Sequence, residues 1–592
     1  MAFFKIKEVD LLIFKKVGKS TFKNAKTNYF WGIIAVLLDD LAVIPIAGIL
    51  GSLVDYLRND DFKMSVVIFK VALMFFFTLV SYFGFLTFAY YCFGSGGKIK
   101  MYYKERIFYK MLKKSPEFFD KYTSGDIIAL SENDTKFVHE YFTGGIIQLI
   151  DSTIIPLTTI IYLAFFISFK LTLAVLIPYP FVILSTKYFG KKIHDFTSKA
   201  NENFGYLNRE ILENIEGIRL VRGYVNEQER LNKFSKTTKI YFDFIYLSSK
   251  FSAYSDAFNG LLREMSISIG FIYGMYLISV NQITPGQLVA FFSISGMFAW
   301  AFMAAGFHFN YYKRADAAID RINKFLIDKT EVKDGTLSLG KFSSLEFRDF
   351  SFKYPSNDKL VLKNLNFKLN KGQTLGIVGK TGSGKTTLIK QILRLYNFDE
   401  NKVFINDIPY EKYNLSSVRK LFGYVSQENI LLSDTIRENI LFGKEFEGDE
   451  KIIDVMKKAD FYKDISNLKD GLDTVVGERG LGLSGGQKQR ISLARALYRD
   501  PEILVLDDSF SAVDANTEAK IVNSLKKYRK NRTNIIVSHR ISAISHSDLI
   551  LVFDRGKIVD FGTHKELISK DSWYKEQFEY QSIVKGENEN EK

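Results

Sequence analysis

The sequence predicts two domains of unlike class in one chain: an all-α unit of six membrane-spanning helices, then an α/β unit built round a phosphate-binding loop. Three observations carry that expectation. Residues 1–310 hold long apolar, aromatic-rich runs, whereas 345–592 have the mixed composition of a soluble α/β protein. Gly379, Lys380, Thr381, Gly382, Ser383, Gly384, Lys385 and Thr386 spell a Gly-rich phosphate loop. Further on, Leu483, Ser484, Gly485, Gly486 and Gln487 spell a much rarer string. The 592 residues are too many for one compact domain.

Bulk chemistry narrows the classes. The net charge of +14 could suit a nucleic acid, but Lys and Arg crowd the segments beside the apolar runs, where they face anionic lipid. No nucleic-acid partner is expected. The one cysteine, Cys92, ends an apolar run, so neither a disulfide within the chain nor a Cys-based zinc site is expected.

The all-α unit is read first. Residues 1–28 mix Lys5, Lys7, Lys15, Lys16 and Lys19 with Phe3, Phe4, Leu11 and Phe14, the pattern of an amphipathic segment on the cytoplasmic membrane surface. Six spans are expected within 29–311: about 29–54, 65–94, 142–168, 171–190, 252–280 and 285–311. The long connections 95–141 and 191–251 are rich in Lys and Arg and the short ones are not. The positive-inside rule then puts the long connections, the N-terminus and the α/β unit in the cytoplasm. Helical spacing over 98–122 and 200–248 predicts helices that project beyond the membrane. Their turns, near Thr123 to Asp126 and Ile215 to Ile218, are expected to dock on a partner domain. Asp39, Asp40, Lys70, Asp151, Asp256, Arg263 and Glu264 fall inside spans. They are expected either to pair as buried ions or to line a polar cavity, with pairing slightly favoured. Residues 312–344 read as a linker.

The α/β unit is expected over 345–583, with a charged, disordered tail at 584–592. Residues 374 to 379 are β-prone and 386 to 395 helical, which is the strand–loop–helix setting the phosphate motif needs. Backbone N–H groups of the glycines curl round phosphate oxygens, and the helix N-terminus adds its dipole. Lys385 brings positive charge to the outer phosphates, and the Thr386 hydroxyl can ligate Mg²⁺. Thr387 is grouped with the loop. The apolar run 503–506 predicts a buried parallel strand, with Asp507 at its carboxyl edge as a second Mg²⁺ ligand.

With these motifs in this order, the chain resembles ATP-binding cassette exporters of the half-transporter type over nearly its whole length. The resemblance implies a membrane exporter subunit that binds ATP and Mg²⁺, hydrolyses ATP, and pairs with a second half-transporter. Ser484, Gly485, Gly486 and Gln487 are then the family signature, which meets the ATP held by the opposite subunit. Tyr354, which lies 25 residues before Gly379, resembles the aromatic that stacks on adenine. Gln427 resembles the glutamine that senses Mg²⁺, residues 474–480 the exporter loop that meets the helix tips, and 511–514 a dimer-facing segment. His539 resembles the switch histidine at the γ-phosphate. At one position the chain departs from the pattern: the catalytic Glu after the metal-binding Asp is here Asp508, one methylene shorter. In the family this often marks the weak-site subunit of a heterodimer, so a heterodimer is expected, with a homodimer as the alternative. The expected cargo is a small amphipathic compound, a drug, lipid or peptide, crossing a bacterial cell membrane. A nucleotide-gated regulatory subunit with negligible turnover is the competing reading.

Overall fold

The computed structural model describes residues 26–58, 62–328, 331–466, 468–477 and 482–590. The expected surface segment at the N-terminus lies outside them up to residue 25, as do residues 478–480 of the expected exporter loop. The chain divides into two compact units. One holds the described residues up to Tyr109 together with Ile127–Ile327; the other holds Lys110–Asp126 and the described residues from Asp328 onward.

The first unit is helical. Its elements are α1 (Lys26–Leu57), α2 (Met64–Lys113), α3 (124–168), α4 (Phe169–Leu176 and Tyr179–Glu216), α5 (Glu227–Ser279) and α6 (Pro285–Ser295 and Met297–Ile327). The helices 26–57, 64–113 and 227–279, and the helical run 124–176 formed by α3 with the start of α4, are each long and apolar enough to cross a bilayer. The other two expected spans, 171–190 and 285–311, are broken at Ile177-Pro178 and at Gly296, so neither is one uninterrupted apolar helix. The direction changes after α3 at Ser168, whose backbone is extended and whose hydroxyl accepts from the Leu171 N–H. That is an N-cap, and it starts α4.

Interior polar groups tie the helices. Arg321 on α6 makes two bonds to buried Asp134 on α3, at 2.9 and 2.5 Å. On the α4–α5 hairpin, Thr197 bonds Ser248 at 2.7 Å and Phe196 stacks on Phe251. Ion pairing, the favoured reading of the charges within the spans, is not what most of them do. Asp39 accepts from the Ser81 hydroxyl, Asp151 accepts from Trp300 Nε1 at 2.8 Å, and Lys70 donates to the Ser52 carbonyl. Among the described residues only the sequence neighbours Arg263 and Glu264 pair, at 3.4 Å. For Asp39, Asp151 and Lys70 the physical reason is neutral partners within reach, which satisfy the charge without bringing a second one into the apolar layer, whereas Asp40 Oδ2 is buried without a hydrogen-bond partner among the described residues. Asp256, Asn259 and Arg263 line a cavity of about 460 Å³ between α4, α5 and α6, with Tyr179, Thr186 and Met303.

The expected linker 312–344 is structured. Ala315, Ala318, Ile319, Ile322 and Phe325 are buried at helical spacing, so α6 continues to Ile327. Beyond it the chain lies along the second unit: Leu337 N–H donates to the Lys412 carbonyl and Asp334 accepts from the Leu415 N–H. The tail read as disordered is helical as far as Asn590, because the turns that start at Trp573 propagate through residues that tolerate helix.

The second unit has two sheets. The strands are β1 (Ser344–Phe352), β2 (Leu362–Asn370), β3 (Thr374–Gly379), β4 (Val403–Ile405), β5 (Ile408–Pro409), β6 (Phe422–Val425), β7 (Ile503–Asp507), β8 (Thr533–Val537), β9 (Leu549–Asp554) and β10 (Lys557–Gly562). The sheet that carries the motifs has the order β10-β9-β3-β8-β7-β6. β3, β6, β7, β8 and β9 run parallel and only β10 is reversed. β7 is buried along its length, with Leu504 and Leu506 in one apolar core and Ile503 and Val505 in the other. That explains why it reads as a continuous apolar run rather than an alternation.

Candidate functional site

Parallel pairing puts the carboxyl ends of β3, β6, β7 and β8 on one edge. The loops after these strands carry Gly379 to Gly384, Gln427, Asp507 with Asp508, and His539. Ligands bind at such an edge in doubly wound sheets because the loops there are free of ladder hydrogen bonds.

The phosphate loop runs from β3 into α7 (Lys385–Ile392). Gly382 and Gly384 have φ of +77° and +104°, where a side chain is strained, so the tight curl needs glycine at both. Lys385 Nζ donates to the carbonyls of Gly379 and Lys380, at 2.9 and 2.8 Å. Its amine is thus held over the loop's concave face. Burial holds it below the usual lysine range, against the pull of Asp508 and Asp507. Among the described residues the buried Ser383 hydroxyl has no hydrogen-bond partner. Lys380 and Thr381 are exposed on the loop.

Thr386 Oγ1 bonds Asp507 Oδ1 at 3.3 Å, which joins the two expected Mg²⁺ ligands across the sheet edge. Asp507 is fully buried, and among the described residues its Oδ2 has no hydrogen-bond partner, although the Tyr424 hydroxyl interacts with the carboxylate. Burial pushes its carboxyl up to about 6, with Asp508 adding to the rise. A buried carboxylate oxygen without a donor is costly, and a cation beside it would remove the cost. The donor set therefore fits Mg²⁺. Gln427, the third expected ligand, is exposed just past β6, and among the described residues its side chain makes no hydrogen bond.

Asp508 has φ +49°, a left-handed conformation that Asp enters more readily than most residues. Its N–H donates to the Val537 carbonyl, and its own carbonyl accepts from Ser511 Oγ at 3.1 Å. Burial raises its carboxyl; His539, Lys385 and Arg540 oppose that. His539 is held below the usual imidazole range by partial burial and by Lys385. The four groups Lys385, Asp507, Asp508 and His539 therefore share one electrostatic neighbourhood.

Tyr354 bonds Thr387 through the two hydroxyls at 3.0 Å and packs edge-on against Tyr396 at 5.2 Å. The expected adenine aromatic is thereby tied to the first turn of α7. Tyr396 is pushed up to about 12 by burial, with Asp120 and Glu117 nearby. These acids belong to the turn 110–126, which is part of this unit. There Lys114 is buried and donates to the Asp328 carbonyl and carboxylate, and Lys110 pairs with Glu331.

The signature string starts α8 (Gly485–Tyr498) through a capping box: Ser484 Oγ accepts from the Gln487 N–H at 3.2 Å and Gln487 Oε1 from the Ser484 N–H at 3.0 Å. Gln487 Nε2 and Arg490 both bond Asp464 Oδ1. Ser484 and Gly485 are exposed. Among the described residues, no hydrogen bond or ion pair joins 484–487 to the phosphate loop of the same chain. Two residues the sequence did not single out stand out here. Asp464 orients the signature glutamine. Gln489, buried on α8, donates to the Asp508 carbonyl at 3.4 Å and accepts from the Ala512 N–H at 3.3 Å. Gln489 could have been sought from its place two residues past Gln487; Asp464 had no motif of its own.

Comparisons with known proteins agree with this arrangement. Residues 29–302 match the family model for the ABC transporter transmembrane region, and residues 362–511 match the ABC transporter model. The chain is 37% identical over 580 residues to the probable multidrug resistance ABC transporter ATP-binding/permease protein YheI of Bacillus subtilis, covering 97% of this chain and 98% of that one. It is 32% identical over 555 residues to the multidrug resistance-like ATP-binding protein MdlA of Escherichia coli, covering 93% of each. In fold it is similar to a bacterial Atm1-family ABC exporter solved with ATP bound, with a TM-score of 0.78, 22% identity, and 94% and 99% of the two chains covered.

Proposed function

The chain belongs to the ABC exporter family, as a multidrug-type half-transporter whose ATPase is coupled to export, and from that premise we propose that it is the weak-site subunit of an asymmetric pair. The observation that carries this reading is Asp508, in a chain whose signature string is intact. In the proposed pair the signature of this chain completes the partner's ATP site, while its own phosphate loop holds a second, slowly hydrolysed ATP.

Each site residue has a role in this reading. Lys385 turns from the Gly379 and Lys380 carbonyls to the outer phosphates. Thr386 and Asp507 hold Mg²⁺, with Gln427 joining them when its loop closes inward; bound there, Mg²⁺ would neutralise charge on the phosphates. Tyr354 stacks on adenine, and His539 meets the γ-phosphate. Asp508 orients the attacking water and takes its proton; its shorter reach makes this step slow. The cytoplasmic helix turns carry closure of two nucleotide domains to the spans, so ligand binding biases a two-state cavity. The cavity beside Asp256 and Arg263 suits a small amphipathic cargo. The charge pattern supports a cytoplasmic N-terminus and nucleotide domain in a bacterial cell membrane.

The test is ATP hydrolysis by the purified chain in lipid nanodiscs, with Lys385→Ala as the blank. Turnover near the blank is expected for the chain alone. It should rise about tenfold or more with Asp508→Glu or with a Glu-bearing relative as partner. Robust turnover by the unmodified chain alone would sink the asymmetric pair.

A further inference from the structure

The backbone that presents His539 is held by the last described helix of the chain. That helix, α9 (Trp573–Asn590), seats Tyr574 fully buried in the core and packs Phe578 against the same cluster. Residues 574, 578 and 581 follow the spacing of one helix face, so the face that anchors the helix also presents Gln581 inward. Gln581 Nε2 donates to the His539 carbonyl at 2.9 Å, and Gln581 Oε1 accepts from the Ile541 N–H at 2.9 Å. One primary amide thus spans Arg540 and pairs with the main chain on both sides of it, as a neighbouring strand would. The short helix Ile541–Ile544 needs this contact. Its N-cap residue, Arg540, gives no side-chain cap, so the Ile541 N–H takes its acceptor from Gln581. The Arg540 side chain is committed elsewhere, to the Val513 carbonyl at 3.1 Å and to buried Glu518 at 2.6 Å.

We propose that Gln581 is a positioning residue that fixes His539 for contact with the terminal phosphate, and so sets the preference of this site for a nucleoside triphosphate over a diphosphate. This rests on the reading of His539 as the γ-phosphate contact. Loss of the clamp frees the His539 carbonyl and lets the imidazole wander, which a diphosphate does not sense because it lacks the group that His539 meets.

The experiment measures equilibrium binding of a non-hydrolysable ATP analogue and of ADP, with Mg²⁺, to the full chain in lipid nanodiscs. Gln581→Ala and the isosteric Gln581→Met should each weaken the triphosphate about fivefold, the scale of one lost hydrogen bond, and leave ADP within about twofold. His539→Ala should do the same, and the double variant Gln581→Ala with His539→Ala should be no worse than His539→Ala alone, because the two act as one unit. Equal loss of both nucleotides would make Gln581 a mere scaffold and overturn the proposal. So would additive losses, or an unchanged triphosphate affinity in the Gln581 variants while His539→Ala weakens it. If His539→Ala leaves the preference intact, the reading of His539 itself fails and the role of Gln581 falls with it.

Discussion

The two long turns of the helical segments, at 110–126 and between α4 and α5, meet opposite fates within one chain. The turn at 110–126 is closed: Lys114 has no exposed side-chain surface and is bonded to Asp328, while Phe118 is fully buried and stacks on Tyr122 at 4.5 Å. The turn between α4 and α5 is open. Leu220, Tyr224 and Val225 are 63%, 79% and 83% exposed. Val225 also sits at φ +52°, a conformation that β-branched residues rarely adopt. An exposed apolar tip that also stores backbone strain is what a chain keeps when a second protein covers it. On the proposed function, the difference teaches that one of the two couplings is made inside the subunit and the other with a partner.

Charging the open turn should give the largest effect. Leu220→Asp together with Tyr224→Asp should leave the thermal midpoint of the isolated chain nearly unchanged, because exposed sites contribute within about 0.5 kcal/mol. Transport by the assembled pair should fall about tenfold or more, read as efflux of an amphipathic dye from loaded cells. A full-rate exporter would break the contrast. Lys114→Ala probes the closed turn and should behave the other way round. It removes a buried side chain and strands the half-buried acceptors of Asp328, so it should destabilise the nucleotide unit by about 2 kcal/mol, measured by urea unfolding. The smallest effect sharpens the reading of strain. Val225→Gly should stabilise the hairpin by about 1 kcal/mol, seen as a raised thermal midpoint, while lowering transport because the exposed isopropyl group is lost. Unchanged transport would mean that the strain serves nothing at that contact.

Legibility in the sequence followed the same divide. The phosphate loop and β7 with Asp507 were readable because short-range chemistry dictates them: glycines where φ is positive, and an apolar run where a strand is covered on both faces. The helical extensions were readable from period. The break at Ile177-Pro178 was within reach, since proline limits the residue before it. The helix that fills the start of the linker lies in the apolar spacing of 315–325, with no glycine or proline before Gly335 to break it, a signal weaker than the long apolar runs beside it. The charges within the spans were misread because their partners, Ser81 and Trp300, lie on other helices and are neutral. Gln581 and Asp464 were invisible for the same reason: each acts through a contact that sequence separation hides.

The open turn is the account's central claim, and photo-crosslinking tests it most directly. A benzophenone side chain in place of Tyr224, in the full exporter in nanodiscs, should upon illumination join two chains. Mass spectrometry should find the adduct in the nucleotide-binding unit of the other chain. Adducts confined to the same chain, or to lipid alone, would contradict it.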